Sequence, residues 1–265
     1  MTKIIPAVQS LIDQNPDPDQ AHVDLLMYGL EKRLNRLAAV FVDPFVEAGF
    51  LTVQFGPFQG IKISRKFMGA NIIPLFLGIY EAELHEPFLR LASKNIYQTI
   101  VNVGCANGYY LAGLAKIFQN AKLLGYDLDT TCLSISQSVI GANGLLQRAQ
   151  LATLFLGDDF AAHDPQTTLY VIDIDGGEDE LLQPQQFPAL EKACIIVETH
   201  DVFKPGITQD IRKRFERTHH IQYIHQQVKS LPDAPPWQGL SDLDRYLITF
   251  ESRGGYNPWL VMLPK

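Results

Sequence analysis

Cysteine is scarce in this chain: three among 265 residues, Cys105, Cys132 and Cys194, with no C-x-x-C pair. An odd count without paired spacing excludes a disulfide framework and a cysteine zinc site, and fits a reducing compartment. Long apolar runs are missing as well. The stretch NIIPLFLGIY at 71–80 is far shorter than the roughly 20 residues of a membrane-spanning helix, and Pro74 interrupts it. MTKIIPAVQSLIDQNPDPDQ at the start has no basic segment followed by an unbroken apolar run. No secretory signal is read there, and a cytoplasmic location is expected. Nor is there an extended Lys/Arg run: 22 basic residues stand against 29 acidic ones, a net charge of -7. That balance disfavours a nucleic-acid partner held through its phosphates. The one basic cluster, IRKRFER at 211–217, alternates with apolar residues and reads as the solvated face of a helix.

What is present is material for a core. The chain is 46% hydrophobic and 19% charged, the balance of a globular protein. Two textures divide it, and the expected organisation is an N-terminal, mainly helical extension at 1–95 and an α/β domain at 96–265. In the first part, AHVDLLMYGLEKRLNRLAAVFVDPFVEAG spaces apolar residues three and four apart up to Pro44, as an amphipathic helix does. FLTVQFGPFQGIKIS reads as a short hairpin, and YEAELHEPFLRLASK as a helix from Tyr80. From residue 96, strands alternate with helices, the signature of a doubly wound, mostly parallel sheet. IYQTIVNVG, AKLLGYDLD, ATLFLGDD, TTLYVIDID and ACIIVETHD are the expected strands. ITQDIRKRFERT is a helix, and RYLITFES with NPWLVMLPK is expected to close the sheet as an antiparallel C-terminal edge ribbon around Gly254 and Gly255. LPDAPPWQGL at 231–240 is a Pro-rich loop whose Trp237 could lie over a substrate or only pin the loop to the core.

The turn from the first buried strand into its helix reads TIVNVGCANGYYLAGLA, residues 99–115. In a doubly wound sheet, ligands bind where such a strand becomes a helix. Gly104 permits a tight turn, and Ala106 and Gly108 keep side chains away so that a ligand can approach the backbone. The nicotinamide fingerprint G-x-G-x-x-G fails, because Ala106 and Tyr109 stand where glycines are required.

The segment Gly104-Cys105-Ala106-Asn107-Gly108 instead resembles the bend of class I methyltransferases, which holds the amino-acid end of S-adenosylmethionine. Asp127, at the end of the next strand, suits both ribose hydroxyls of that donor, since a carboxylate offers paired acceptor oxygens. Asp129 competes for this role but also suits the cap of a helix from Thr130. Asp158 and Asp159, after Gly157, stand where such enzymes often hold the adenine amine; a surface turn is the alternative. Further motifs, LYVIDIDGGEDELLQP, IIVETHD, GYDLD and LGIYEAEL, resemble in order and spacing those of the FkbM family of methyltransferases. The resemblance covers about residues 77–205. It implies a Rossmann-like fold, an S-adenosylmethionine cofactor and methyl transfer to oxygen. Tyr80, Glu81 and Glu83, in the preceding helix, are expected either to close over the donor or only to cap and pack that helix. Asp175 departs from the family's usual Glu.

Asp173, Asp175, Glu178, Glu198, His200 and Asp201 fall at the ends of two successive strands, on the face where the donor would sit. His200, with a pKa near neutrality, is the candidate base, helped by Asp173 and Asp201; a structural histidine is the alternative. Asp173, Glu198 and Asp201 are the candidate set if Mg²⁺ is used, though a metal-free reaction is the preferred reading. His219 and His220 are expected at the surface. The expected acceptor is a small metabolite, sugar, natural-product intermediate or peptide C-terminus, with a hydroxyl or a carboxylate receiving the methyl group. The competing class is a non-catalytic binding protein on the same fold. A homodimer through the N-terminal helices is compatible with the sequence, though no heptad demands it.

Overall fold

The structure, a computed structural model, describes residues 18–66, 71–231, 239–251, 253 and 255–265, with side chains described from residue 26 onward. Residues 1–17, where no secretory signal is read, lie outside the described residues, as do Trp237 and Gly254. The long amphipathic pattern forms helix α1 (Pro18–Phe41), where Leu34, Leu37 and Ala38 at helical spacing are buried. The expected hairpin is strands β1 (Phe50–Thr52) and β2 (Lys62–Ser64), paired antiparallel. The apolar stretch at 71–80 is neither a span nor a loop: helix α2 (Ile72–Leu77) is buried along its whole length. Gly78 ends it at φ +71°, because a Cβ there would lie 2.1 Å from the carbonyl oxygen of Phe55. Helix α3 (His85–Ser93) follows.

The strands β3 (Thr99–Val103), β4 (Lys122–Tyr126), β6 (Thr168–Ile172) and β7 (Cys194–Glu198) are parallel and nearly continuous in apolar residues, as strands covered on both faces must be. Between them run α4 (Tyr109–Ile117), α5 (Thr130–Ala142), β5 (Ala149–Ala152) and the short α6 (Glu178–Leu181). Helix α7 (Ile207–Phe215), β8 (His219–Ile224), α8 (Asp242–Thr249) and β9 (Trp259–Pro264) complete the chain. The seven strands of this sheet lie in the order β5-β4-β3-β6-β7-β9-β8, giving a doubly wound, Rossmann-like α/β fold.

Three expectations for the sheet are corrected. RYLITFES is not a strand: its first part belongs to α8, which buries Asp244, Leu247 and Ile248 on one face. The antiparallel ribbon is β8 with β9, and β9 is inserted between β7 and β8, so the edge belongs to β8. The third strand is Ala149–Ala152 and shares only Ala152 with the expected ATLFLGDD at 152–159. Within β8, His219 is buried, with Nε2 2.9 Å from the carbonyl oxygen of Ala193; of the two expected surface histidines only His220 is exposed.

Strand periodicity divides the core. Ile100, Leu123, Leu169, Val171, Ile196 and Val261 face one side, with Leu34, Leu51, Ile73 and Phe88 of the N-terminal elements in the same cluster. Val101, Leu124, Tyr170, Ile172, Ile195 and Leu260 face the other, against Ile207, Ile211 and Phe215 of α7. Each such fully buried side chain contributes roughly 1.5–3 kcal/mol. None of the described helices is long and apolar enough to cross a membrane.

Because β4 and β5 lie on one side of β3 and β6 and β7 on the other, the strand order reverses between β3 and β6. The carboxyl ends of these two strands border the crevice in which doubly wound sheets bind ligands.

Candidate active site

The bend after β3 is built by close backbone contact. The N–H groups of Gly104 and Cys105 both donate to the carbonyl oxygen of Tyr126, at 2.8 and 2.9 Å, joining the ends of β3 and β4. Gly104 has φ +78°, and a Cβ there would lie 1.6 Å from the carbonyl oxygen of Asp173. Gly108, at φ +82°, was expected to clear room for a ligand; it clears room for α5 instead, since its Cβ would come 2.8 Å from Ser136 Oγ. Cys105 is buried, and burial pushes its thiol up to about 12, which favours the neutral thiol over the thiolate.

Asp127 sits just past β4 with its carboxylate fixed from two sides. Oδ2 accepts from Ala106 N at 2.8 Å and Oδ1 from Asp129 N at 2.9 Å. A carboxylate has about four acceptor positions, so capacity remains on the side facing the cavity. Asp129 is the cap of α5, accepting from Thr131 N at 2.7 Å, a bond that holds its pKa below the usual range.

Three cavities meet around Asp173. One of about 280 Å³ lies beside Gly104, Asp127, Leu128, Thr153, Leu154 and Phe155. A second of about 160 Å³ lies between the Cys105–Asn107 bend and Tyr80, Tyr109 and Tyr110. The third, about 200 Å³, is bordered by Tyr80, Asp175, Glu198, His200, Arg253 and Asn257. Asp173 lines all three. Burial pushes the Tyr80 hydroxyl well above its ordinary pKa, and the neighbouring Glu81 charge adds to this.

Sequence reasoning placed some residues elsewhere. Asp158 is exposed and Asp159 turns back to accept from Leu156 N at 2.7 Å; neither lines these cavities. The wall comes from Thr153–Phe155, which follow the early end of β5, and from Leu128. Leu128 and Leu154 are both exposed, an arrangement suited to covering a flat apolar group. The signal was the apolar TLFL run, which strand periodicity absorbed. Glu83 does not close over a donor: it is buried in an ion pair with Lys229. Asp201 does not join the acidic cluster either. Its oxygens accept from Gly206 N, at 2.8 Å, and from the Thr208 hydroxyl, which brace the turn into α7.

Glu178 organises the loop after β6. It is fully buried and accepts from Ile174 N at 3.1 Å and Gly176 N at 2.9 Å, while Oε1 lies 2.8 Å from His200 Nδ1. The loop's turn brings Asp175 to φ +51° and Gly176 to φ +100°. His200 Nε2 then lies 3.5 Å from Asp173 Oδ1, Asp175 Oδ1 and Glu198 Oε2. Burial disfavours the imidazolium, but the bond to Glu178 and the charges of Glu178, Asp173 and Asp175 outweigh it and raise the His200 pKa.

Behind this cluster lies a buried charge network. Arg253 pairs with Glu81, Glu198 and Glu251, and the Tyr110 hydroxyl donates to Glu81. Lys229 pairs with Glu83 and, at 3.3 Å, with Glu251. The carboxylates outnumber the cations. Burial, then the charges of Asp173 and Glu81, pushes Glu198 up to about 11; burial pushes Asp173 up to about 6 and Glu81 to about 7. Of the three acids, Glu198 is raised furthest, because burial acts on it together with the neighbouring charges of Asp173 and Glu81.

No protein-family model matches the chain, and no curated protein matches it. Among solved structures, the O-methyltransferase from Bacillus cereus in complex with S-adenosylhomocysteine is 15% identical, with 98% of this chain and 97% of that chain covered and a TM-score of 0.47. The O-methyltransferase TomG from Streptomyces achromogenes, in complex with S-adenosylmethionine, is 15% identical over 68% of this chain and 78% of that one, TM-score 0.45. A S-adenosylmethionine-dependent O-methyltransferase from Thermotoga maritima is 12% identical over 68% and 66%, TM-score 0.45. Likenesses this distant leave the functional reading to the site's own geometry.

Proposed function

We propose that this chain is an S-adenosylmethionine-dependent methyltransferase that acts on an oxygen of a small-molecule or peptide acceptor. The observation that carries the reading is the Asp127 carboxylate, held by Ala106 N and Asp129 N beside the largest of the three cavities. The residues fit the donor. Asp127 suits the ribose hydroxyls, Leu128, Leu154 and Phe155 an adenine ring, and the Cys105–Asn107 backbone with Tyr80 the amino-acid end. The two cavities adjoin at Gly104 and Asp173, as the two ends of one ligand require. When bound, the donor supplies an electrophilic methyl carbon on a positively charged sulfur. The excess of carboxylates around Asp173 suits that charge.

The third cavity, reached past Tyr80 and Asp173, is the acceptor's place in this reading. Here the chain's main contribution is alignment of the accepting oxygen with the methyl carbon. A carboxylate needs only that, whereas a hydroxyl must lose its proton. His200 and Asp173 border the cavity and can receive it. The finer, FkbM-like reading is supported by the loop Asp173–Glu178 and the strand end at Glu198–His200, the two motif-bearing segments, which lie in contact here.

A methyl-labelled donor incubated with the chain and fractionated small-molecule and peptide pools tests this reading. Transfer of label to an acceptor is expected; base-labile label marks a carboxylate and base-stable label a hydroxyl. A chain that binds donor but transfers label to nothing would favour the non-catalytic alternative.

A further inference from the structure

We propose that the third cavity takes an organic cation, a small molecule bearing an ammonium group, and turns away carboxylates. That this molecule is the methyl acceptor rests on the methyltransferase reading; its charge follows from the cavity's own walls.

The first observation concerns the one group that could hold an anion. Arg253 is the permanent cation bordering the cavity among the described residues, against Asp173, Asp175 and Glu198. Its side chain is 9% exposed, and each of its nitrogens already faces an acid of this chain. Nη1 meets Glu198, Nη2 meets Glu81, and Nε lies 3.3 Å from Glu251. Releasing one of these pairs to reach a ligand would leave a buried acid uncompensated, which is strongly destabilising. A carboxylate ligand would therefore lie among like charges with no free cation, whereas an ammonium is attracted by the same walls.

The second observation is aromatic. Phe203 is 62% exposed, and of the three cavities it borders this one alone. It packs over the turn after β6: its ring centroid is 5.8 Å from that of His200, and a Cβ on Gly176 would lie 3.2 Å from Phe203 Cβ. Asp175, next to that glycine, is 81% exposed, and among the described residues its charged partner is the His200 imidazole at 3.5 Å. An exposed ring face beside an exposed carboxylate attracts an ammonium twice, through the ring's quadrupole and through the acid's charge. A carboxylate ligand gains from neither. Asp173 borders all three cavities, so under the methyltransferase reading its charge also serves the donor's sulfonium, while Phe203 serves the acceptor cavity only.

Saturation-transfer NMR tests the charge preference with probes of one skeleton: tyramine as the cation, 4-hydroxyphenethyl alcohol as the neutral form and 4-hydroxyphenylacetate as the anion. It is run on the chain alone and again with S-adenosylhomocysteine. Tyramine is expected to bind roughly fivefold or more tighter than the acid, with the alcohol between them. Asp175→Asn should weaken tyramine about threefold and leave the alcohol unchanged. Phe203→Leu keeps apolar bulk but removes the ring, and should weaken tyramine about two- to fivefold. Both side chains are exposed, so their replacement spares the core. Glu180→Gln removes an exposed acid that does not border the cavity and should change nothing. No binding of tyramine, equal or tighter binding of the acid, or equal losses in Glu180→Gln and Asp175→Asn would overturn the proposal. Calorimetry of S-adenosylhomocysteine on the same samples separates the two readings: a chain that binds it but prefers the acid keeps the donor site and loses the cation preference.

Discussion

At the scale of single residues, two glycines with similar backbones separate strain from close approach. Gly104 and Gly144 have φ +78° and +70°, but a Cβ on Gly104 would lie 1.6 Å from a carbonyl oxygen and one on Gly144 meets nothing within 4 Å. Gly144→Ala should therefore cost about 1–2 kcal/mol, the left-handed penalty alone. Gly104→Ala should cost at least about 2 kcal/mol more, through overpacking; urea unfolding measures both. Glu178 is the other residue to test. Glu178→Gln keeps the shape but replaces a charged acceptor of three hydrogen bonds, and a loss of about 1–3 kcal/mol is expected in the same assay. Asp127 was legible in the sequence because a strand end fixes where its side chain emerges. The organising role of Glu178 was not, because it depends on how the loop after β6 folds back on itself.

At the scale of elements, the proposed function divides one loop between two tasks, donor binding by Asp127 and helix capping by Asp129. Asp129→Ala should destabilise the protein by about 1 kcal/mol through loss of the α5 cap, and leave donor binding intact. Equal loss of donor binding in Asp127→Ala and Asp129→Ala would contradict that division. The parallel strands were legible from their apolar runs, while α8 was not. YLIT within it has the β-branched and aromatic content of a strand, yet Asp244, Leu247 and Ile248 are buried at helical spacing. Ser241 caps that helix, accepting from Asp244 N at 3.2 Å, with Asp242 and Asp244 in its first turn; this start signal was readable in the sequence. Strand β8 escaped notice because its burial alternates only partly along a polar HHIQYI sequence.

At the scale of the whole molecule, the buried charge network ties distant parts of the chain together. Glu81, before α3, meets Arg253 and Glu251 near the C-terminus and Tyr110 in α4. Such long-range pairing cannot be read from local pattern, although each acid and base is visible in the sequence. It has a pH signature. The folded pKa of Glu81, about 7, exceeds its ordinary value of 4.5, chiefly through burial, opposed by Arg253. A raised folded pKa gives stability that is complete below about pH 4.5 and is lost as pH rises through about 7. Unfolding measured from pH 4.5 to 8 should show a less negative slope in Glu81→Gln than in the wild type. An unchanged slope would mean that Glu81 titrates as it does in water.

The same scale contains the claim on which the functional reading turns: that the crevice at the strand-order reversal holds a nucleoside-bearing methyl donor. Calorimetric titration of S-adenosylhomocysteine into the wild type and Asp127→Ala tests it most directly. Saturable binding by the wild type, weakened roughly tenfold or more when the charged acceptor is removed, is the predicted result. Absence of binding by the wild type, or equal affinity in the two proteins, would contradict it.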